Sequence, residues 1–425
     1  MRLHLANHDR IGALRLYLIL SFASSFFLWL AFSVNLIFQV EQVGLSPLQL
    51  VLVGTVLEAS YFLFEVPTGV VADVYSRRLS VILGTFVLGA GAVASAVPSF
   101  PVILLANVIM GSGYTFLSGA LEAWIADEIG EEHAGTAYLR GAQFTQFGTL
   151  VAIPVGVGLA TIALNLPIVI GGVLTIVLAL VLMLTMPEHG FTPAPREERG
   201  SFGAMRDTFL AGAGLVKRSP LLITIFGIAA FFGMFNEGFD RLSPAHLLET
   251  FTFPAIGDLQ PVVWMGVIQA VALVTRIGLA EIVRRKVDTN SHVVVSRLLL
   301  AINGLLVLSV AGFAFAGTFT VAVIAFLIAS NLRGITYPLS AAWINQNIDS
   351  RVRATVISMS GQADAFGQIA GGPGVGLVGN LFGLRAAMAT AGAILIPGLA
   401  LYARALGQGE QPVIETDEAN VTAEG

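Results

Sequence analysis

The 425 residues contain no cysteine, only two lysines (Lys217 and Lys286), and charged side chains at 12% of the total. Without cysteine there is no disulfide, no thiolate metal site and no cysteine nucleophile. The shortage of charge excludes an ordinary soluble domain, where about a quarter of residues are charged. No glycine-rich loop ending in Gly-Lys-Ser/Thr is present, so nucleotide hydrolysis through a P-loop has no residues to carry it. The six histidines, at 4, 8, 133, 189, 246 and 292, read as lead or loop residues without metal-ligand spacing. The few polar residues form no nucleophile triad, and an enzyme is not expected. The net charge of -5 mixes a basic face with acidic loops and an acidic tail. No continuous basic patch offers itself to nucleic acid.

What the chain has instead is apolar length. Hydrophobic residues make up 56%, gathered in runs of about 20, enough to cross a bilayer as helices. Twelve spans are expected, at about 14–38, 48–72, 79–97, 101–124, 138–160, 166–186, 221–241, 260–282, 293–316, 319–341, 354–378 and 384–402. The first run is too long for a signal-peptide core and lacks a small-residue cleavage site, so it reads as a retained span. With the amino terminus inside, 18 of the 22 basic residues fall on the inner side, which sets both termini in the cytoplasm. Arg241 and Arg385 fall outside, and Arg276 and Arg333 lie within spans.

The hydrophilic stretch 191–219 divides residues 1–190 from 220–405, and a tail at 406–425 is expected to be disordered. Within the linker, 202–216 is either an amphipathic surface helix or plain connector. The two halves repeat. A displacement of 219 residues sets Ala123, Trp124, Gln143, Gly148 and Pro154 over Ala342, Trp343, Gln362, Gly367 and Pro373. A parallel six-span repeat points to a transporter with its site between the halves.

Acids inside spans are the candidate functional residues, because a charge at the bilayer midplane costs roughly 2.5–3.5 kcal/mol. Glu58 and Glu65 are seven apart and share a helical face. They are either proton carriers or packing groups, a protonated Glu65 then bonding backbone freed near Pro67. Asp364, with Gln362 and Gln368 nearby, and Arg333 in span 10 are further mid-depth groups, read as a proton relay or as a static ion pair. Glu237, Asp240 and Arg241 read as the outer end of span 7, an outer gate or a solvated helix end. Arg276 is expected to reach the inner headgroups. Glu122, beside Trp124 and Asp127, reads as a gate or interfacial residue. Asn35, Asn107, Tyr114, Phe235, Glu237 and Gln362 are the substrate-cavity candidates. Between spans 2 and 3 a short loop runs from Gly69 through Asp73 to Arg77 and Arg78, with a weaker copy at Glu281, Arg285 and Lys286. It is a helix cap, a solvated turn or a latch.

That loop, a glycine followed four residues on by an aspartate and then two basic residues, resembles the signature of the major facilitator superfamily. The resemblance covers nearly the whole chain. FEVPTGVVAD at 64–73, GALEAWIADE at 119–128 and RATVISMSGQADAFGQIAGGPGVG at 353–376 are similar to drug-exporter branches that include macrolide and tetracycline efflux proteins. The resemblance implies an all-α membrane protein, with twelve helices in two six-helix bundles, working by alternating access. It implies proton-coupled efflux of a hydrophobic or amphipathic small molecule, with an importing proton symporter as the alternative. It makes Gly69, Asp73, Arg77, Arg78, Glu281 and Arg285 a cytoplasmic gate, and sets span 11 beside span 2 so that Asp364 and Glu58 face one cavity. The family's Gly-Pro pair in span 5 is replaced by Ile153-Pro154, and Asn107 stands where span 4 usually supplies an arginine, leaving Arg333 as substitute. No cofactor beyond a proton gradient is implied. The expected partners are the bilayer and a small substrate, with the chain a monomer in the cell membrane.

Overall fold

The computed structural model describes residues 2–193, 220–255, 259–287, 291–347 and 350–407. Most of the linker, including 202–216, and the tail from 408 lie outside the described residues. Within them the regular structure is helical: α1 (Arg2–Ile37), α2 (Pro47–Val70), α3 (Arg77–Ser95), α4 (Phe100–Leu117), α5 (Ala120–Ile129), α6 (Glu131–Ala160), α7 (Leu166–Thr185), α8 (Pro220–Thr250), α9 (Pro261–Lys286), α10 (His292–Ala314), α11 (Phe319–Asn347), α12 (Ser350–Phe382) and α13 (Leu384–Gly407). An all-helical chain suits a bilayer, since each helix bonds its backbone groups within its own segment. Prolines open several helices, where a missing N–H costs little. At α2, Ser46 accepts from the Gln49 N–H while the Gln49 side chain accepts from the Ser46 N–H, and Pro47 follows this reciprocal cap.

Three differences from the apolar pattern have physical causes. Span 4 is two helices, because Gly119 adopts φ +71°, a left-handed conformation open to glycine. Span 7 does not end at Arg241. It continues to Thr250, because Leu242, Ala245 and Leu247 are buried beyond the charges. Eleven helical segments are long and apolar enough to cross a membrane, and α12 is the exception. Gln362, Asp364, Gln368 and seven glycines between 361 and 379 dilute it, yet it is packed among α8, α2 and α13. Its polar residues Gln362, Asp364 and Gln368 are half-buried rather than exposed.

Those glycines set how closely α12 lies on its neighbours. A Cβ at Gly367 would overlap the Ala230 carbonyl, and one at Gly233 the Asp364 carbonyl, so the backbones of α8 and α12 touch through small residues.

α1 to α7 form one six-span bundle and α8 to α13 the other. They meet where α2 packs on α12 and α8, α6 on α9, and α1 on α8 and α9. We call the end where α1 begins and α13 finishes the base, and the opposite end the crown. At the crown one apolar core draws on both halves, running from Ile37, Phe38 and Val51 to Phe239, Met265 and Val375. At the base there are two cores, one in each half. One is built around Trp124, with Tyr17, Val81 and Leu182. The other is built around Trp343, with Leu222, Leu299 and Tyr402. The two tryptophans are the pair matched by the 219-residue repeat. Ala59 and Glu65 on α2, and Ile357, Ser358 and Gly361 on α12, are exposed toward the base. The halves are joined at the crown and parted at the base.

Gly367→Ala is expected to lower the thermal stability of the purified protein by about 1–3 kcal/mol through overpacking. Gly361→Ala, with nothing within 4 Å of its added carbon, leaves the unfolding midpoint unchanged or raises it.

Candidate functional site

Where α2, α8 and α12 meet, charged side chains collect. Glu237, 3% exposed, accepts from Arg241 Nε at 3.2 Å one turn along α8. Gly54 of α2 lies directly beneath this pair, and a Cβ there would overlap both the carboxylate and the guanidinium. Gly372 of α12 closes on the stem of Glu237 from the other side, with 2.7 Å between its added carbon and Cγ. Thus the triad that reads as a helix end is a mid-helix site, and two of its members are locked at the joint between the halves.

Asp240, the third member, points away from that joint and is ion-paired with Arg333 Nη1 at 2.6 Å. Asn236 lies at 3.4 Å from the same nitrogen, and the guanidinium sits 5.5 Å from the centroid of the Phe239 ring. Arg333 therefore crosses from α11 to α8 rather than to Asp364. Arg276 does not extend to headgroups: its stem covers Gly334 and it donates to the Ser330 hydroxyl at 3.1 Å. Glu58 of α2 is within electrostatic range of Arg241, Glu237 and Asp364. Asp364 accepts from Gln368 Nε2 at 2.8 Å. Among the described residues neither Glu58 nor Asp364 has an ion-pair partner. The cluster holds four carboxyls (Glu58, Glu237, Asp240, Asp364) and three guanidiniums (Arg241, Arg276, Arg333). Charged throughout, it has one negative charge in excess.

Other expected site residues fall elsewhere. Asn107, 2% exposed, donates to the Ile103 carbonyl of its own helix at 2.8 Å, so its amide is committed within α4. Phe235 is fully buried and packs against Phe239 with ring centroids 5.3 Å apart and the rings tilted by 36°, a core position. Glu237 is enclosed rather than open to a cavity. Asn35 is buried with its carbonyl oxygen unbonded. Tyr114 is within electrostatic range of Glu58 and Arg241, and Gln362 is half-buried two residues before Asp364 on α12. Glu65 is exposed. Its carboxyl does not bond the backbone beside Pro67, where the Thr68 hydroxyl already bonds the Phe64 carbonyl at 2.8 Å. His246, expected in a loop, lies in the buried part of α8. Its Nε2 is 3.2 Å from the Phe313 carbonyl and its Nδ1 3.1 Å from the Thr250 hydroxyl. Among the described residues no cluster of histidines and acids could hold a metal.

The loop between α2 and α3 is tied into its own half. α2 gives way to a π-turn at Val71–Tyr75, and Ser76 caps α3 by accepting from Leu79. Arg77 is ion-paired with Asp127 of α5 and donates to the Ala123 carbonyl at 2.9 Å. Glu188, after α7, accepts from the Ser76 hydroxyl at 2.7 Å and the Arg78 N–H at 2.9 Å. The Tyr138 hydroxyl reaches the Glu122 carbonyl. Asp73 is exposed, without an ion-pair partner among the described residues, and Gly69 has open space where a side chain would stand. The second copy closes on itself: Glu281 accepts from Arg284 at 2.7 Å and Arg285 at 2.5 Å, all exposed at the end of α9.

Sequence reasoning missed the links across the joint, namely Gln269 Nε2 to the Ser33 carbonyl at 3.0 Å and the Leu48 N–H to Asn380 Oδ1 at 2.9 Å. Nothing local marks them. The four-residue spacing of Glu237 and Arg241, by contrast, was a usable signal for a helical ion pair.

Because the chain has no cysteine, one introduced thiol reports without background. Gly54→Leu is expected to wedge the crown joint and raise the maleimide-labelling rate of Val51→Cys, a fully buried position, by about tenfold. That equals a shift of about 1.4 kcal/mol in the opening equilibrium. An unchanged rate would show that the joint absorbs the side chain.

This architecture is shared with proteins of known structure. A nucleoside transporter, NupG, superposes with a TM-score of 0.75 at 13% identity, covering 93% of this chain and 99% of that one. A peptide transporter, POT, solved with sulfate, gives 0.69 at 16%, covering 93% and 95%. A bacterial homologue of the human lysosomal transporter Spinster, solved inward-facing and unoccupied, gives 0.68 at 16%, covering 95% and 97%. At these identities the likeness is one of fold. In sequence, the uncharacterized MFS-type transporter YxaM of Bacillus subtilis (strain 168) is 24% identical over 360 residues, 84% of this chain and 86% of that one. The profile of the Major Facilitator Superfamily matches residues 17–372, and a match over most of a twelve-span, two-bundle chain makes this protein a multi-pass membrane transporter of that superfamily.

Proposed function

We propose that the chain exports a small hydrophobic or amphipathic molecule from the cell in exchange for protons, with Glu58 and Asp364 as the proton carriers. The observation that carries this is the imbalance at the joint: two carboxyls without guanidinium partners, on helices from opposite halves, beside the buried Glu237–Arg241 pair. A charge isolated in a low-dielectric interior is costly, and a proton removes it. Such a pair takes up and releases protons as the halves open to one face and then the other.

The arginine distribution turns the base toward the cytoplasm, so the form described here is open inward. In it the gate residues Arg77 and Arg78 hold their own half together, and Asp73 stands free to meet the other half on closure. Glu281 and Arg285, paired locally, have a smaller part in that closure. Export is favoured over import by the likeness of the 64–73 and 353–376 segments to exporter branches. Each proton entering down 100 mV releases roughly 2.3 kcal/mol, enough to sustain about a fifty-fold gradient.

Two measurements test the proposal. In proteoliposomes with an imposed pH gradient, Glu58→Gln and Asp364→Asn are each expected to cut proton-driven flux by at least about tenfold, a loss of ~1.4 kcal/mol or more, with expression and folding intact. Full flux in both variants removes them as carriers. In whole cells, the gene is expected to lower accumulation of a fluorescent dye until a protonophore is added. Accumulation raised by the gene and lowered by the protonophore would mean import.

A further inference from the structure

In the second half a cavity of about 290 Å³ lies between α8, α11, α12 and α13, walled by Ile228, Phe232, Tyr337, Trp343 and Ile357, with Asp364 at its inner edge. We infer that this cavity binds a small organic cation, an arylalkylammonium in size and chemistry, whose positive charge is held by the Asp364 carboxylate. The inference rests on the transport reading above and names the substrate class for it.

Three features of the cavity select a cation. Among the described residues that line it, Asp364 is the only charged one. Arg333, the guanidinium within electrostatic range, is held by Asp240 at 2.6 Å and does not neutralise it. Gln368 occupies one carboxylate oxygen, Oδ2, leaving Oδ1 for a ligand. An anion would meet the Asp364 carboxylate with no cation among the described lining residues to offset it.

The polar groups in the wall also argue against a sugar, which needs many unengaged hydrogen-bonding partners. The Thr336 hydroxyl donates to the Leu332 carbonyl at 3.0 Å, and the Ser340 and Tyr402 hydroxyls are 3.4 Å apart and bond each other. Apart from the Tyr337 and Ser360 hydroxyls, what remains is apolar and aromatic surface, which suits an aryl group and attracts a cation through the ring faces. The volume is at the lower end of ligand pockets, which run roughly 300–1,000 Å³. One ring and its ammonium fit, and a macrolide does not.

Among the described residues, the charged and titratable groups that face Asp364 from the packed helices are Glu58 of α2, Asp240 of α8, Tyr337 and Arg333 of α11 and Tyr402 of α13. None of them supplies a free cation. Proton and ligand therefore compete for one carboxylate, and each expels the other, which is the condition for one-for-one exchange.

The test is calorimetric titration of the purified full-length protein with benzyltriethylammonium, and with phenylacetate as the anion of similar size. The cation is expected to bind and phenylacetate not to. Asp364→Asn is expected to weaken cation binding at least tenfold, and Asp364→Glu to retain it. Gly361→Phe, which adds a ring where the cavity wall has open space, should weaken binding with Asp364 untouched. The variants are compared at matched thermal midpoints. Equal affinity in Asp364→Asn, or phenylacetate binding as tightly as the cation, would overturn the inference. Cation binding without any proton-driven flux upholds the site and refutes the export reading. Proton-driven flux of uncharged compounds without cation binding does the reverse.

Discussion

Glu237 and Arg241 form an ion pair that three helices close upon, and the geometry of the joint follows from burying it. Withdrawing two charges from water costs several kcal/mol per ion, and removing one partner strands the other at roughly 3–5 kcal/mol. The pair is tolerable because one turn of α8 aligns it and because α2 and α12 present glycines to it, Gly54 on one side and Gly372 on the other. A larger residue at either position would separate the helices and admit water. The same close approach brings Glu58 on α2 and Asp364 on α12 within electrostatic range of each other. The ion pair thus fixes where the unpaired carboxyls sit.

The halves are held mainly by apolar packing at the crown. The hydrogen bonds given above between them, from Gln269 to Ser33 and from Leu48 to Asn380, lie toward that end. At the base each half has its own core around its own tryptophan. Such an arrangement is compatible with the proposed opening of the halves as rigid bodies, first to one face and then to the other. The Arg77–Asp127 and Glu188 contacts belong to the first half alone, so they stiffen that body without resisting the motion.

Much of this was legible in the sequence. Apolar runs located the spans, prolines marked several helix starts, and the 219-residue repeat pointed to two related six-span bundles, in which the matched Trp124 and Trp343 prove to be buried. The acids at 58 and 364 stood out because apolar runs have no use for them. One error has a plain cause. Local composition was taken as a measure of depth, so the charges at Glu237–Arg241 signalled a helix end although buried residues follow them. Asn107 and Phe235 were expected in a cavity, whereas a backbone bond satisfies the first and aromatic neighbours enclose the second. The pairing of Arg333 with Asp240 was out of reach, because two acids competed for one arginine and only the helix positions decide between them.

The central claim is that protonation at the joint governs the separation of the halves at the base. Pulsed electron resonance between spin labels on Leu139→Cys of α6 and Ile282→Cys of α9, both exposed, measures that separation directly in lipid nanodiscs. The account predicts two distance populations whose ratio changes with pH, and loss of that pH dependence in the Glu58→Gln, Asp364→Asn double variant. A single distance unchanged across pH, or a pH response that survives in the double variant, would contradict it.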